Sequence, residues 1–440
     1  MKTDLIYGVE DRPPFKDALF AALQHLLAIF VAIITPPLII ASALKLDVEK
    51  TSFLVSMSLF ASGVSTFIQC RRFGTIGAGL LCIQGTSFSF IGPIIATGLV
   101  GGLPLIFGSC MAAAPIEMIV SRTFKYLRNI ITPLVSGIVV LLIGLSLIKV
   151  GIVSCGGGYS AMDNGTFATW ENLSIAALVL LSVLFFNRCG NKYLRMSSIV
   201  LGLCLGYGLA FVLGKVDMSS LNVEMLMSFN IPQPFKYGID FNVSSFIAIG
   251  LVYLITAIEA TGDVTANSMI SGLPIEGDSY LKRASGGVMA DGFNSFLAGV
   301  FNSFPNSIFA QNNGIIQLTG VASRYVGYYI AAMLVLLGLF PIVGAVFSLM
   351  PDPVLGAATL LMFGTVAAAG IRIVSSQEIG RKETLVLAVS LSLGLGVELM
   401  PDVLQQAPEA IRSIFSSGIT TGGLTAIIAN IVIRVKEEKD

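Results

Sequence analysis

Residues 301–320 read FNSFPNSIFAQNNGIIQLTG, and this stretch decides how the rest of the chain is interpreted. It places proline, asparagine and glutamine inside a sequence that is otherwise largely apolar. Amide side chains carry paired donors and acceptors, which are costly in hydrocarbon unless they face a partner, a cavity or a ligand. A polar run at membrane depth therefore predicts a binding site built on an interrupted membrane segment.

The composition is that of a protein embedded in a bilayer. The chain has 440 residues, 55% hydrophobic and 12% charged, where a soluble domain carries about 25% charged residues. Positive and negative charges balance, so nothing indicates nucleic-acid binding. The six cysteines show no CxxC or His-linked pattern, and we expect unpaired thiols and no metal site. The polar start lacks the features of a cleaved signal peptide, so the first apolar segment should be retained.

Fourteen apolar segments predict an all-α polytopic membrane protein. They lie at about 18–35, 52–70, 76–92, 95–116, 130–150, 172–187, 196–214, 243–262, 284–300, 302–318, 325–345, 350–370, 384–400 and 411–433. Most of the 26 Lys and Arg residues fall on the side that holds the N-terminus, so both termini are expected to be cytoplasmic. No large soluble domain interrupts the pattern, and we expect residues 1–440 to form one integral membrane unit.

The third and tenth segments look unsuited to continuous helices. Residues 83–93 read IQGTSFSFIGP and, like residues 301–311, alternate aromatic side chains with small polar ones. Interrupted segments seven apart are typical of an inverted repeat, whose half-helices and extended stretches present backbone groups to a ligand at the bilayer midplane. Four rings in these segments are either a stacking surface for a flat ligand or ordinary core: Phe88, Phe90, Phe304 and Phe309.

Few ionisable residues lie well inside the predicted spans: His25, Glu117, Glu259, Asp263 and Asp291. Glu259 and Asp291 are favoured as functional, because burying an unpaired carboxylate is costly. Asp263 is either functional or simply solvated or hydrogen-bonded near the cytoplasmic end, and Glu117 is expected to pair with Arg122 at the interface. His25, the only histidine, is expected to order a polar network, with proton shuttling as the alternative.

The pattern Gln311-Asn312-x-Gly314, followed by Thr319-Gly320, resembles the signature motif of the nucleobase–ascorbate transporter family, also called nucleobase:cation symporter-2. Residues 309–327 are similar to the bacterial xanthine permease branch of that family. The resemblance covers nearly the whole chain, including residues 10–15, 132–140 and 371–373.

The resemblance implies 14 segments in two inverted repeats of seven. A core domain would comprise about 17–121 and 243–346, and a gate domain about 130–214 and 350–434. Substrate would be held between the domains, with the core moving against the gate. The resemblance also implies a homodimer formed through the gate, in the bacterial cytoplasmic membrane.

The resemblance further implies roles for individual residues. Glu259 and Gln311 would bind a purine, and the substrate-binding set is completed by Ser87, Phe88, Phe309 and Ala310. The proton-coupling or polar network would comprise Asp291, His25 and Asn312, to which the position of Asp263 inside a span adds that residue. Thr319 and Gly320 would influence specificity and packing. Xanthine-selective relatives often carry Asn where this chain has Ser87, which leaves uric acid or a wider purine range open.

The sequence therefore predicts a proton-coupled symporter that imports xanthine or a related oxopurine by alternating access, with H⁺ as coupling ion and no other cofactor. Protonation near Glu259 or Asp291 would neutralise a buried charge and allow the loaded core to move. The alternatives are a uric acid or broad purine permease, then a uracil permease or an anion transporter of the same fold. An intramembrane enzyme is disfavoured, since the chain has no HExxH, no GxSxG and one histidine.

Overall fold

The computed structural model is mostly helical. It describes residues 5–127, 132–191, 197–216, 231–340, 349–375, 377–408 and 417–433, together with residues 194, 229, 346, 411, 412 and 415. The helices of this part of the chain are α1 (Phe15–Ala43), α2 (Val48–Arg71), α3 (Ile91–Leu127), α4 (Pro133–Cys155), α5 (Gly158–Asp163), α6 (Trp170–Arg188), α7 (Ser198–Val212), α8 (Val243–Ile270), α9 (Gly277–Val300), α10 (Gln311–Thr319), α11 (Arg324–Leu339), α12 (Asp352–Val374), α13 (Arg381–Leu399) and α14 (Gly418–Val432).

Seven helical stretches among the described residues are long and apolar enough to cross a bilayer. They are α1, α2, the stretch Phe88–Thr123, α4, α6, α8 and α12. Three shorter apolar helices, α7, α11 and α14, accompany them. The chain is therefore a multi-pass membrane protein.

Helix α3 contains a break that the sequence interpretation placed elsewhere. Gly101 has φ −140° and ψ 15°, and Gly102 has φ +67°, a left-handed value that glycine adopts without steric cost. The predicted boundary between the third and fourth segments, at about 93–94, is therefore wrong. Pro93 lies in the first turn of α3. Backbone N–H groups in a first turn have no hydrogen-bond partner within the helix, so a proline is tolerated there.

Two short strands meet at the centre of the fold. Strand β1 (Gln84–Thr86) pairs antiparallel with β2 (Asn306–Ile308), with Gly85 opposite Ser307. Further backbone bonds extend the pair, from Ser87 N to the Pro305 carbonyl at 2.8 Å and from Phe309 N to the Ile83 carbonyl at 2.9 Å. A 3₁₀ turn (Phe88–Phe90) then leads from β1 into α3, and β2 leads into α10. The extended stretches predicted for the third and tenth segments are confirmed.

The helices pack in pairs around the two strands. Helix α2 packs along α11, α3 along α8 and α9, α4 along α12, α6 along α7 and α13 along α14. Small residues permit the closest approach, as membrane helices require. A side-chain carbon on Gly144 of α4 would overlap the backbone of Ala367 of α12, and one on Gly63 of α2 would lie 2.7 Å from the Ala331 carbonyl of α11.

An aromatic cluster forms part of the core beside the strands. The Phe90 ring lies 4.7 Å from the Tyr253 ring, and the Phe304 ring lies 5.9 Å from the Phe107 ring, measured between centroids. All four side chains are fully buried. Phe90 and Phe304 are therefore ordinary core residues, and the stacking alternative considered for them from sequence is wrong.

Candidate functional site

Glu259 of α8 faces the 3₁₀ turn that follows β1. The Ser89 hydroxyl donates to Glu259 Oε2 at 3.2 Å. The Glu259 side chain is half-buried, and no ion pair joins it to a Lys or Arg within the described ranges. A membrane-depth carboxylate held by one hydroxyl retains lone pairs that can accept further hydrogen bonds.

Gln311 begins helix α10, directly after the second strand. Its side chain is half-buried, and the preceding Ala310 is exposed. Helix α10 packs against α8, where Asn267 Nδ2 donates to Asn313 Oδ1 at 3.1 Å. Glu259 and Gln311 are thus carried by adjoining helices, although no hydrogen bond joins the two side chains in the described structure.

Asp291 of α9 lies behind strand β1. It is fully buried, and its Oδ1 accepts a hydrogen bond from Gln84 Nε2. The Gln84 Oε1 in turn accepts from Asn294 Nδ2 at 3.0 Å. The amide of Gln84 therefore uses both its donor and its acceptor to connect β1 to α9.

The second strand is tied to its neighbours in a similar way. Asn306 Nδ2 donates to Ser65 Oγ of α2 at 2.8 Å, and Ser295 Oγ donates to the Asn306 carbonyl at 3.0 Å. Asn294 Nδ2 also donates to the Ser65 carbonyl, at 3.2 Å. The sequence interpretation did not single out Gln84, Asn294 and Asn306. Their signal was the presence of uncharged amides in the middle of predicted spans.

His25 of α1 and Asn312 of α10 form a buried contact. The distance between His25 Nδ1 and Asn312 Oδ1 is 3.0 Å, and both side chains are almost completely inaccessible. Within the described residues, His25 Nε2 and Asn312 Nδ2 have no hydrogen-bond partner. The contact fixes the first turn of α10 against α1.

Two aromatic rings flank the strand pair, with Phe88 beyond one end of it and Phe309 beyond the other. The centroids of the Phe88 ring and the Phe363 ring of α12 are 5.3 Å apart, and the two rings meet edge to face at 86°. The Phe309 ring lies over Gly85, next to Ile33 of α1. Phe88 and Phe309 are buried, and neither makes a ring contact with the aromatic cluster of Phe90 and Phe304 among the described residues. Ser87, between the strand and Phe88, is buried, and its hydroxyl has no partner among the described groups.

The remaining predicted residues have different surroundings. Asp263 is largely buried in α8, one helical turn after Glu259. Thr319 Oγ1 donates to the Ile315 carbonyl at 2.8 Å, and Gly320, with φ +69°, ends α10. Thr319 and Gly320 therefore lie at the end of α10 opposite to Gln311, where they shape the helix terminus.

The expected ion pair between Glu117 and Arg122 is wrong. Glu117 is fully buried, with its Cβ against Gly292 of α9, whereas Arg122 Nη2 donates to Thr75 Oγ1 at 3.2 Å. Residues five apart on a helix point to different sides, so the two side chains diverge.

Two surface grooves have volumes of about 520 and 550 Å³, and neither is lined by Glu259 or Gln311. The first is lined by Arg12 and three tyrosines of α11. Around Glu259 and Gln311, the surface open to solvent consists of these two half-buried side chains and the exposed Ala310.

Comparison with known proteins identifies relatives along nearly the full chain. The sequence profile of a family described as "Permease family" matches residues 16–403. Xanthine permease XanP of Escherichia coli (strain K12) is 50% identical over 441 residues, covering 98% of this chain and 95% of XanP. Xanthine permease XanQ of the same organism is 49% identical over 440 residues, covering 98% and 94%. Uric acid permease PucJ of Bacillus subtilis (strain 168) is 35% identical over 423 residues, covering 95% and 93%.

Solved structures share the fold at low sequence identity. The transmembrane domain of a cyanobacterium bicarbonate transporter, BicA, matches with a TM-score of 0.57 and 14% identity, covering 97% of this chain and all of that one. The murine anion transporter Slc26a9, in its inward-facing state, matches with a TM-score of 0.64 and 12% identity, covering 96% of this chain and 69% of that one. These similarities concern the fold alone.

The family profile spans the motif at 311–320, and both xanthine permeases match along nearly the whole chain. The chain is a transporter rather than an enzyme, and it belongs to the permease family of these relatives, the nucleobase–ascorbate transporter family.

Proposed function

We propose that this protein imports xanthine, or a closely related oxopurine, across the bacterial cytoplasmic membrane together with protons. Two xanthine permeases that share about half of its residues along nearly its full length support the substrate class. The structural observation that carries the proposal is Glu259, a half-buried carboxylate with one hydroxyl donor and no cationic partner in the described residues. Such a group can accept N–H donors from one edge of a purine.

The other contacts follow from the surroundings of Glu259. The Gln311 amide carries both a donor and an acceptor and would meet an edge of the purine that offers the same pair. Phe88 and Phe309 flank the strand pair, and their rings would pack on the faces of a flat heterocycle. Gln84 and Asn306 of the strands are already hydrogen-bonded to α9 and α2, so they would hold the site in shape.

Proton coupling would act on the buried carboxyl groups. Glu259 and Asp291 lie on neighbouring helices, at a depth where an uncompensated negative charge is costly. Binding a proton at either group would remove this cost and allow the loaded domain to move. The proposal assigns the proton to the pair, because the two groups share one buried region.

The packing supports a repeat of seven segments and two moving domains. A shift of seven segments maps the packed pair α2–α11 onto the packed pair formed by α9 and the second half of α3. The same shift maps α6–α7 onto α13–α14. We propose the 14-segment core and gate arrangement on this basis, with alternating access between the domains, a homodimer through the gate and both termini in the cytoplasm.

Anion transport is disfavoured by the charge of the site, although the solved relatives include an anion transporter. Glu259, Asp263 and Asp291 make the region acidic, so a small inorganic anion, which has no N–H groups to donate to Glu259, would be repelled there. Uric acid is the favoured second substrate, because the small Ser87 hydroxyl has no partner in the described structure and the uric acid permease PucJ is a relative.

The test is uptake of radiolabelled xanthine by cells that lack their own purine carriers. Glu259→Gln should lower uptake at a fixed low xanthine concentration by about 10- to 100-fold, the loss expected when a hydrogen bond to a charged group is weakened. Glu276→Gln is the matched control, since Glu276 makes no side-chain bond at the start of α9. Uptake is normalised to the amount of carrier in the membrane.

Competition and coupling are measured in the same assay. Unlabelled xanthine or uric acid should compete more strongly than guanine, hypoxanthine or uracil, and a protonophore should abolish accumulation. Full xanthine uptake by the Glu259→Gln variant would remove this residue from the site. Stronger competition by uracil than by xanthine would overturn the substrate assignment.

A further inference from the structure

A second groove lies away from Glu259, between the N-terminal segment, the loop after α2 and the start of α9. Its volume is about 550 Å³, within the range of about 300–1,000 Å³ that is typical of small-molecule sites. We call it the basic groove and define it by Arg72, Leu80, Leu273, Lys282, Arg283 and Arg324. The proposed purine site uses none of these residues.

The charges of the basic groove are only partly balanced. Four cations line it, together with the carboxylates of Glu10 and Asp278. Arg324 is paired, with its Nη2 and Nε at 2.7 and 3.1 Å from Glu10 Oε2. The other three cations, Arg72, Lys282 and Arg283, form no ion pair within the described residues. The groove therefore has an excess of positive charge that no described side chain neutralises.

Arg283 is the least satisfied of these cations. Its Nη2 donates to the Pro274 carbonyl, but its buried Nε has no partner in the described structure. Burial, followed by the nearby charge of Arg72, lowers the pKa of Arg283 from its ordinary value. An anion in the groove would offset the repulsion between the guanidinium groups of Arg72 and Arg283.

The backbone around the groove directs Arg72 into it. Arg72 ends α2 with φ +59°, a left-handed value that is uncommon for a residue other than glycine. Its side chain extends over Gly79, whose added Cβ would lie 3.5 Å from Arg72 Cδ. Its Nε bonds weakly to the Gly74 carbonyl at 3.4 Å, so most of the guanidinium's donors remain available.

The first turn of α9 adds to the positive potential. Asp278 and Ser279 of this turn line the groove, and the preceding Glu276 provides no side-chain cap. The free amides at a helix start favour anions. Asp278 is the one carboxylate of this turn, and it balances only part of the charge of Lys282 and Arg283.

We propose that the basic groove binds a ligand that carries a phosphate group, held by Arg72, Lys282 and Arg283. Three cations around one small volume match a compact anion with several oxygens, and arginine can bind two of these oxygens at once. The phosphate can belong to a soluble compound of the cytoplasm or to the headgroup of an anionic lipid. The chemistry is the same in both cases, and the experiment distinguishes them.

The groove adjoins the strand pair, so its ligand should affect transport as well as stability. Residues 78–80 line it and continue directly into Leu81, whose carbonyl accepts from Asn267 Nδ2 at 2.9 Å, and then into β1. An occupied groove would hold this connection in place. This inference does not rest on the identity of the substrate, since binding is measured without xanthine.

The test uses the purified full-length protein and two probes. In neutral detergent, the melting temperature is followed against inorganic pyrophosphate at constant ionic strength. In nanodiscs, it is compared between phosphatidylglycerol and phosphatidylcholine. We expect saturable stabilisation by at least one anionic probe. Pyrophosphate alone would assign a soluble ligand, and phosphatidylglycerol alone would assign a lipid headgroup. No stabilisation by either probe would overturn the proposal.

Substitutions locate the effect. The double variant Lys282→Gln/Arg283→Gln should weaken binding of the active probe by about tenfold or more, since two charge-assisted contacts are lost. The matched control is Arg381→Gln/Lys382→Gln, which also removes two cations that are adjacent in sequence, but from the first turn of α13, whose residues do not line the groove. If the double variant does not fold, the exposed Lys282→Gln alone should weaken binding severalfold. Equal weakening by the groove and control variants would refute the site.

Discussion

Replacing Gly85 by alanine tests how tightly the strand pair and Phe309 are packed. The added Cβ would lie 2.5 and 2.6 Å from two carbon atoms of the Phe309 ring and 2.7 Å from a side-chain carbon of Ile33. Ordinary contacts between carbon atoms are about 3.5–4.0 Å, so the ring would have to retreat by about 1 Å. Its backbone cannot follow, because Phe309 N is bonded to the Ile83 carbonyl at 2.9 Å.

Over-packing of this kind costs about 1–3 kcal/mol of stability. We therefore expect Gly85→Ala to lower the free energy of unfolding by this amount, measured by SDS titration of the purified protein in mixed micelles. Phe309→Leu should relieve the overlap, so the double variant should be more stable than the sum of the two single effects predicts, by about 1 kcal/mol or more.

The matched control is Gly396→Ala in α13. A Cβ on Gly396 would meet nothing within 4 Å, and alanine is the better helix former. This variant should be as stable as the parent protein or slightly more stable. Equal stability of Gly85→Ala and Gly396→Ala, or strictly additive effects of Gly85→Ala and Phe309→Leu, would refute the packing that the structure describes.

Two further predictions concern single hydrogen bonds. Asn312→Leu leaves buried His25 without its partner, so the free energy of unfolding should fall by about 1–3 kcal/mol in the same titration; an unchanged value would contradict the contact. Asp47 caps α2 by accepting from Lys50 N at 2.7 Å, and Asp47→Ala should cost about 0.5–2 kcal/mol at pH 7. The side chain and then the backbone amide of Lys50 lower the pKa of Asp47 in the folded protein. The stabilisation is therefore full above the unfolded pKa of about 3.9 and is lost as the pH falls through the lower, folded value. The variant and the parent protein should converge in unfolding measurements at decreasing pH below about 4, and a constant difference would argue against an ionised cap.

The interruption of two membrane segments could be predicted because their residue types conflict with a continuous apolar helix. Pro305, Asn306 and Gln84 each indicate backbone or side-chain groups that need partners. The partners themselves could not be predicted. The bond between Gln84 and Asp291 depends on how β1 lies against α9, and this follows from long-range packing rather than from any local pattern.

The aromatic residues show the same limit. Phe88 and Phe90 are two residues apart, a spacing that places side chains on the same side of an extended chain. From the sequence, both rings are therefore interpreted alike, as a stacking surface or as ordinary core. In the structure both residues belong to one 3₁₀ turn, which directs their side chains differently, and only Phe90 enters the buried cluster with Tyr253. Glu117 was misassigned because its arginine neighbour in sequence lies on another side of the helix.

The pairing of β1 with β2 has a consequence for biosynthesis. The two strands belong to opposite halves of the chain, so Gln84–Thr86 enters the membrane long before Asn306–Ile308 has been translated. Until then the edge of β1 lacks the backbone partners that hydrocarbon cannot supply. The first half of the nascent chain must therefore keep this edge hydrated or provisionally covered, and its insertion is completed only when the ribosome has delivered the second half.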